Sequence, residues 1–497
     1  MTDTPDSLPR WDLTPIFPAL GSTEYSEAFA RVEQQVASLA ALFDEKGVRR
    51  TPNGSPDPTL FEMIVRQLNE VLEGMRVLTS FVGCLASTDA RDSAARAQES
   101  LLDNLNITLG RLRSRLTAWI GSIDIDGLMA SSEEAKRLQF FLRKSSTLAS
   151  HQMSEEAEAL ALEVQPAGLL GWAKLHGDMS ALLTAETTVD GETKSLPIAS
   201  IRSLAYHKDR ETRRSAYEAE LGAWETVSVP MAAALNGIKG FQLALRRRRG
   251  WEDDIQPTLL SNSIDLQVLQ AMQEACEESF PDFGSYLKSK AAVLGLPKAA
   301  WYDMNAPVGD EARRWSWTDA SEFVVEQFAS YSSRMAEFAE RAFRERWIDA
   351  EPRVGKQGGA YCTGVFPGVS RVMMNFGGST TDVSTLAHEL GHAYHNLNME
   401  KRTPLQRSTP ATLAETASIF CETIAFEAAL RSAPAPERLG LLDTTLQRNL
   451  MVVVDIHSRF LFEREVFRRR GERELSSEEF CEVMLVAQRQ TYGNALD

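Results

Sequence analysis

A pair of histidines four positions apart constrains this chain more than any other feature. The stretch Asp382 to Glu400 reads DVSTLAHELGHAYHNLNME and contains the motif H-E-x-x-H at residues 388–392. On a helix, His388 and His392 lie one turn apart, about 6 Å along the axis, so both imidazoles can bind one ion. Glu389 is rotated by about 100° from His388 and can reach a water beside that ion. The motif predicts zinc-assisted hydrolysis, with both histidines as ligands and Glu389 as general base.

The surroundings of the motif favour a helix. Apolar and small residues recur at helical spacing, and the polar cluster at 380–382 is a candidate N-terminal cap. Two solvated histidines on an ordinary helix are the alternative interpretation. Histidine is scarce, with seven in the chain, so a chance occurrence of the motif is improbable.

A hydrolytic zinc site needs a third protein ligand. His395 lies about 10 Å along the helix from His388, too far to share the ion if the helix is regular. The pattern H-E-x-x-H-x-x-G-x-x-H, which supplies a third histidine, is absent. His395 is therefore interpreted either as a neighbour of the ligands or substrate, or as a structural residue.

A carboxylate on the following segment is the better candidate. Residues 411–430 (ATLAETASIFCETIAFEAAL) are rich in helix formers. Small residues flank Glu415 and permit close helix approach, so Glu415 is the predicted ligand, with a surface carboxylate as the alternative. Glu422 lies two turns further on the same face and is predicted to accept a hydrogen bond from a ligand histidine.

Glycine-rich segments precede the motif. Residues 358–362 (GGAYC) and 371–376 (RVMMNF) are predicted to form two short strands around a Gly-Pro loop at 364–368. A sheet edge that pairs with an extended peptide and an ordinary hairpin fit the spacing equally well. The position immediately before the motif favours the peptide-binding interpretation.

The rest of the chain indicates a mainly α protein. Helical periodicity covers 23–44, 60–85, 94–120, 138–148, 155–163, 172–183, 209–224, 229–249, 264–294 and 319–343. Two strand-like runs at 184–196 flank Asp190-Gly191, which favours a type I′ hairpin. The predicted division is an N-terminal helical lobe at 1–183 and a catalytic lobe at 184–497.

Composition excludes several classes of function. The formal net charge is −16, which argues against nucleic-acid binding, and the basic run at 246–249 is interpreted as a solvated helix end. The five cysteines are dispersed without a C-x-x-C pair, as in a reducing compartment. Neither a signal peptide nor a long apolar run is recognisable. We expect a cytoplasmic protein without membrane or nucleic-acid partners, of undetermined oligomeric state.

Several segments together resemble one protein family. GGAYC (358–362), MNFGGSTTDVSTLAHELGHAYH (374–395) and LAETASIFCE (413–422) are similar to the M3 family of zinc peptidases, and within it to the oligoendopeptidase F branch. WDLTPIFP (11–18), HKDRETRRSAYEA (207–219) and RWIDAEPRVGKQGGAYC (346–362) resemble the same branch.

The resemblance implies an elongated, two-lobed, zincin-type fold of many helices, with a small sheet beside the motif helix and a channel that admits short peptides. It implies one Zn²⁺ per chain and cleavage of internal peptide bonds. The implied ligands are His388, His392 and Glu415, with Glu389 as base. The implied substrate-binding residues are Gly358, Gly359, Ala360, Tyr361, Val372, Met374 and Phe376.

The family also has a His/Tyr-rich segment near its C-terminus that stabilises the oxyanion. This sequence ends at TYGNALD (491–497), so the chain is expected to lack that segment. A zinc endopeptidase of short peptides is the leading hypothesis. A truncated, weakly active or inactive zinc- and peptide-binding protein is the second, and a metallocarboxypeptidase is the third.

Overall fold

The computed structural model describes residues 8–51, 54–309 and 314–497, and these residues are largely helical. The chain divides into two compact units. Unit 1 comprises Met1–Ala159 with Ala312–Ser432, and unit 2 comprises Leu160–Glu311 with Ala433–Asp497.

The predicted boundary after residue 183 therefore lies inside unit 2, and the residues that carry the H-E-x-x-H motif belong with the N-terminal helices. Long-range contacts join these segments; in one of them the Nε atom of Arg76 donates to the carbonyl oxygen of Gly364, 288 positions away, at 2.9 Å. Hydrophobic periodicity carries no information about such contacts.

Most of the predicted helices are present, with boundaries that shift by a few residues. N-terminal caps set several of their starts: Ser22, Asp57 and Asp92 each accept a hydrogen bond from a first-turn backbone N–H. The helices are α1 (Thr23–Glu45), α2 (Pro58–Thr88), α3 (Ser93–Ile120), α4 (Ile125–Ser131), α5 (Glu133–Arg137), α6 (Gln139–Ser150), α7 (Glu155–Val164), α8 (Leu169–Leu182), α9 (Ile198–Ser203), α10 (Arg210–Thr226), α11 (Ser228–Arg248), α12 (Gln256–Asn262), α13 (Leu266–Val293), α14 (Trp317–Tyr331), α15 (Ser333–Arg344), α16 (Thr380–Asn398), α17 (Ala411–Ala414), α18 (Thr416–Ser432), α19 (Ala435–Leu450), α20 (Ile456–Arg470) and α21 (Ser477–Tyr492).

The single helix predicted over 319–343 is wrong. Two helices, α14 and α15, occupy this stretch, and Ser332 between them is extended, with φ −157° and ψ 122°. The break allows α15 to bury Met335, Phe338 and Ala342 in the core of unit 1. Tertiary packing thus overrides the local helical pattern.

Five strands form two sheets: β1 (Thr184–Val189) with β2 (Glu192–Pro197), and β3 (Ile348–Asp349), β4 (Tyr361–Phe366) and β5 (Val369–Met373). The predicted hairpin at 184–196 is confirmed as β1 and β2, which pair antiparallel. Asp190 and Gly191 both have positive φ, 52° and 84°, as a type I′ turn requires.

The second sheet has the order β3-β5-β4, with β5 parallel to β3 and antiparallel to β4. The predicted pair of strands is confirmed as a hairpin, but β4 begins at Tyr361 rather than Gly358, and β5 ends at Met373. The predicted loop at 364–368 is wrong, because β4 continues to Phe366 and the turn contains only residues 367 and 368. The edge strand β4 packs against α2, where the Ser80 hydroxyl donates to the carbonyl oxygen of Gly364 at 3.0 Å.

The core of unit 1 supports the motif helix. Leu386, Leu390 and Ala393 of α16 are buried in one cluster with Phe338 and Trp347. No helix of the described residues is both long and apolar enough to cross a membrane.

Unit 2 contains a buried ion pair. The Nζ atom of Lys290 donates to both carboxylate oxygens of Asp443, at 2.8 and 3.1 Å, and the Tyr286 hydroxyl donates to the same group at 2.7 Å. The Lys290 side chain is fully buried, and burial lowers its pKa. The Asp443 carboxylate therefore offsets the free-energy cost of burying the charged Lys290 side chain.

Asp443→Asn should destabilise unit 2 by about 3–5 kcal/mol, because it leaves the buried Lys290 without an opposite charge. Urea unfolding followed by tryptophan fluorescence measures the loss. The control is Asp178→Asn, which removes an exposed ion pair with Lys174 and should change stability by less than about 0.5 kcal/mol. Equal effects of the two substitutions would contradict this assignment.

Candidate metal centre

The helix that carries the motif starts with a capping box. The Ser379 hydroxyl accepts from the backbone N–H of Asp382 at 3.1 Å, and the Asp382 carboxylate accepts from the backbone N–H of Ser379 at 2.9 Å. The predicted cap at 380–382 is thus displaced by one residue, to Ser379. The box fixes where the helical turn begins and hence the faces on which the histidines lie.

Three ligand-type side chains converge beside this helix. The Oε2 atom of Glu415 lies 3.2 Å from Nε2 of His388 and 3.2 Å from Nε2 of His392. All three ligand atoms lie within 4.8 Å of one another. The structure therefore brings together the two histidines and the carboxylate that were predicted as ligands.

A close approach of two helices makes this convergence possible. Gly391 of α16 faces the backbone of α18, and a Cβ at residue 391 would lie 2.7 Å from the carbonyl oxygen of Ala417 and 2.7 Å from Cα of Ser418. These distances are too short for any side chain, so glycine is required here. Gly391, the variable position of the motif immediately before His392, therefore permits the short distance between α16 and α18.

Glu415 occupies the break between α17 and α18, where one continuous helix was expected. The Ser418 hydroxyl, fully buried, donates to Oε2 of Glu415 at 2.7 Å. Partial burial acts to raise the pKa of Glu415, but the Ser418 hydrogen bond and the two histidines outweigh it, so the pKa is lowered. The carboxylate is thereby held ionised and oriented.

Glu422 occupies the position predicted for it, behind His388. Its Oε2 atom lies 3.2 Å from Nδ1 of His388, which orients that ring with Nε2 towards Glu415. Burial lowers the pKa of His392. Its neutral form, which can donate a lone pair to a metal, is therefore favoured.

Glu389 lies on a different face of α16 and is 5% exposed. Burial raises its pKa to about 7; the charge of His388 opposes the rise and that of Glu415 reinforces it. Its Oε2 atom is buried without a hydrogen-bond partner among the described residues. A buried, unsatisfied carboxylate is costly unless a ligand or water completes it.

A cavity of about 430 Å³ opens onto these groups. His395 lines it, as do Ala360 and Tyr361 from the start of β4. Gly358 and Gly359 precede β4 and are exposed, but they do not belong to the cavity wall. The Tyr361 hydroxyl is engaged with Ser87 at 2.7 Å.

The predicted substrate contacts of Val372, Met374 and Phe376 do not fit the structure. All three are buried in the core of unit 1. Val372 lies on the central strand, between β3 and β4. The backbone N–H groups of Met374 and Phe376 donate to the carbonyl oxygens of Asp349 and Ala350. Val372 is thus paired on both sides, and the side chains of all three residues are directed into the core, so these residues support the sheet.

Sequence reasoning missed Ser418 as a partner of Glu415. A serine three residues after a candidate ligand, on the same helical face, was the available signal. It was interpreted only as a small residue that permits close packing. Its hydroxyl also orients the carboxylate.

The profile of Peptidase family M3 matches residues 203–493, more than half of the chain. The chain belongs to this family. Two curated relatives are oligoendopeptidase F (chromosomal) of Lactococcus lactis subsp. cremoris, 28% identical over 58% of this chain, and oligopeptidase PepF of Bacillus subtilis, 24% identical over 88%. The matches span 48% and 65% of those relatives' lengths.

The fold is that of solved peptidase structures. The superposition with a Chlamydophila abortus protein covers 100% of this chain and 83% of the other chain, with a TM-score of 0.77 and 19% sequence identity. The predicted mainly α fold and the resemblance to the oligoendopeptidase F branch of the M3 family are both confirmed.

Gly391→Ala should separate α16 from α18, because the added methyl group meets the backbone of Ala417 and Ser418. We expect zinc affinity to fall by about 10- to 100-fold, as for other changes that move a ligand, measured by competition with a chromophoric chelator. Gly110→Ala in α3, where a Cβ meets nothing within 4 Å, is the control. Unchanged zinc affinity in Gly391→Ala would refute the role given to this contact.

Proposed function

We propose that this chain is a zinc-dependent endopeptidase that hydrolyses internal bonds of short peptides, with one Zn²⁺ held by His388, His392 and Glu415. The observation that carries the proposal is the 3.2 Å separation of the Glu415 oxygen from both imidazole nitrogens. Ligands at about 2.0–2.1 Å in a tetrahedral site lie about 3.3 Å apart. The donor set, two imidazoles and one carboxylate, is that of hydrolytic zinc sites with one open position.

Membership of Peptidase family M3 supports a peptidase. The names of the relatives, oligoendopeptidase F and oligopeptidase PepF, support short peptides as its substrates. The substrate class and the activity of the whole protein are proposed for this chain on that basis.

When bound, the zinc ion would polarise the scissile carbonyl group and make water more acidic. Glu389 takes a proton from the attacking water and delivers it to the leaving amine. Its buried position suits this role, because burial raises the pKa of the carboxyl group and so makes the carboxylate a stronger base. Glu422 holds the His388 ring, and Ser418 holds the Glu415 carboxylate, so the ligand set needs little rearrangement.

The start of β4 supports peptide binding beside these groups. Ala360 and Tyr361 line the cavity of the candidate centre, and β4 is an edge strand of its sheet. An extended peptide can add through backbone hydrogen bonds to the start of such an edge, ahead of Gly364, whose carbonyl oxygen already accepts from Arg76 and Ser80 of α2. His395 also lines this cavity, which supports a role for it in substrate contact.

We further propose a cytoplasmic location. All five cysteines are free thiols, which fits a reducing compartment. Peptides are the proposed partners.

Glu389→Gln should abolish most of the activity without loss of zinc, because glutamine keeps the shape of the side chain but cannot accept the proton. We expect kcat to fall by about 10²- to 10⁴-fold, with a zinc content equal to that of the wild type. A quenched fluorescent peptide measures the rate, mass spectrometry identifies the cut bond, and elemental analysis counts the metal.

Glu427→Gln, an exposed change on α18, is the matched control and should cleave at the wild-type rate. A Glu389→Gln variant as fast as the control would contradict the mechanism. Products shortened only from the C-terminus would indicate a carboxypeptidase. Zinc and peptide binding by the wild type without turnover would indicate a binding protein.

A further inference from the structure

A second cavity in unit 1 is lined by cations and by uncharged residues, and we call it the cationic cavity. It encloses about 650 Å³, within the usual range for ligand pockets of about 300–1,000 Å³. Leucine and phenylalanine side chains form its apolar surface, and no Asp or Glu of the described residues lines it. Its cations are Arg76, Arg113, Arg137, Lys144, Arg402 and Arg407.

The positive charge of the cationic cavity is opposite in sign to the net charge of the chain. Acidic residues outnumber Lys and Arg by 69 to 53. Within the described residues, Arg407 pairs with Glu73 at 2.7 Å and Arg137 with Glu134 at 3.7 Å. Arg76, Arg113 and Arg402 have no carboxylate at salt-bridge distance among the residues that the structure describes. A concave surface of one sign concentrates ligands of the opposite sign.

Arg76 is one of the partly buried cations of this set, with Lys144 and Arg407. Its Nε atom donates to the carbonyl oxygen of Gly364 in β4 at 2.9 Å. Burial, followed by the charge of Arg407, lowers the pKa of Arg76. A guanidinium that is partly desolvated and lies beside another cation is stabilised in its charged form by an anion within hydrogen-bond distance.

The cationic cavity borders the candidate metal centre. Arg407 lines both cavities. Arg76 and Asn396 approach the same point, the position that a Cβ would occupy at Gly364, and Asn396 belongs to the wall of the metal-centre cavity. Gly364 itself lies in β4, the strand whose start lines the metal-centre cavity.

We propose that the cationic cavity is a substrate subsite that receives a carboxylate flanked by apolar side chains, so that the metal centre acts preferentially on acidic, hydrophobic peptides. The inference rests on the proposed peptidase function. The carboxylate is supplied either by an Asp or Glu side chain or by the peptide's C-terminus, since the chemistry of recognition is the same.

Matched quenched peptides test this subsite. One apolar peptide series carries a single Glu or its neutral isostere Gln at successive positions, each with a free or an amidated C-terminus. We expect kcat/KM to be about tenfold higher for the best-placed carboxylate than for its neutral counterpart. The advantage should shrink as salt is raised, because ions screen the attraction.

Substitution of Arg113 and Arg402 tests whether the cationic cavity causes the preference for acidic peptides. In Arg113→Gln/Arg402→Gln the ratio of acidic to neutral peptide should fall towards one, whereas Arg113→Lys/Arg402→Lys keeps the charge and should keep the ratio. Arg247→Gln/Arg248→Gln removes the same charge from an exposed face of α11 and should also keep it. Circular dichroism verifies that each variant folds.

The outcomes separate this inference from the proposed function. A preference that follows the Glu side chain, or one that follows the free C-terminus, supports the subsite and identifies the source of the carboxylate. Equal rates for all peptides, or a ratio unchanged in the Gln variant, overturn it while leaving the peptidase intact.

If no peptide is cleaved, the proposed function fails, and binding then tests the cavity alone. Fluorescence anisotropy of a labelled acidic peptide with Glu389→Gln provides that measurement. Salt-sensitive binding that is lost when the Arg113→Gln/Arg402→Gln pair is added supports the cavity. Binding unaffected by salt and by these substitutions overturns it.

Discussion

The contact between α16 and α18 at Gly391 is the constraint on which the candidate centre depends. One helix carries His388 and His392, and Glu415 stands at the start of the other. The two helices can approach this closely because residue 391 has no side chain. The backbone of Ala417 and Ser418 lies 2.7 Å from the position that a Cβ would occupy. The spacing of the histidines is a property of one helix, but the metal site is a property of how closely two helices pack.

Around that contact, two of the candidate ligands are oriented by a polar neighbour. Glu422 lies behind His388, and Ser418 donates to Glu415. Glu389 is instead left without a partner for one oxygen, in a buried position that raises its pKa to about 7. The candidate ligands are oriented and the candidate base is left available, which is the arrangement that the proposed zinc hydrolysis requires.

Much of this was predictable from local patterns. Helical periodicity located most helices, and Asp190-Gly191 located a hairpin. Small neighbours predicted Glu415, and the two-turn spacing predicted Glu422; both carboxylates lie beside the histidines in the structure. The errors share a physical origin in long-range packing. Ser332 breaks a predicted helix. Val372, Met374 and Phe376 were assigned to the substrate although β5 is the central strand of its sheet and the residues after it pair with a neighbouring segment. A hydrophobic pattern does not indicate which strand lies at the edge of a sheet or which helix packs against that strand.

Zinc-edge anomalous diffraction from crystals of the zinc-loaded protein tests the central claim most directly. The account predicts one strong peak per chain, about 2.0–2.2 Å from Nε2 of His388, Nε2 of His392 and a carboxylate oxygen of Glu415. A peak coordinated by His395 or Cys362 in place of Glu415 would contradict it, as would zinc-loaded crystals in which these three residues bind no metal.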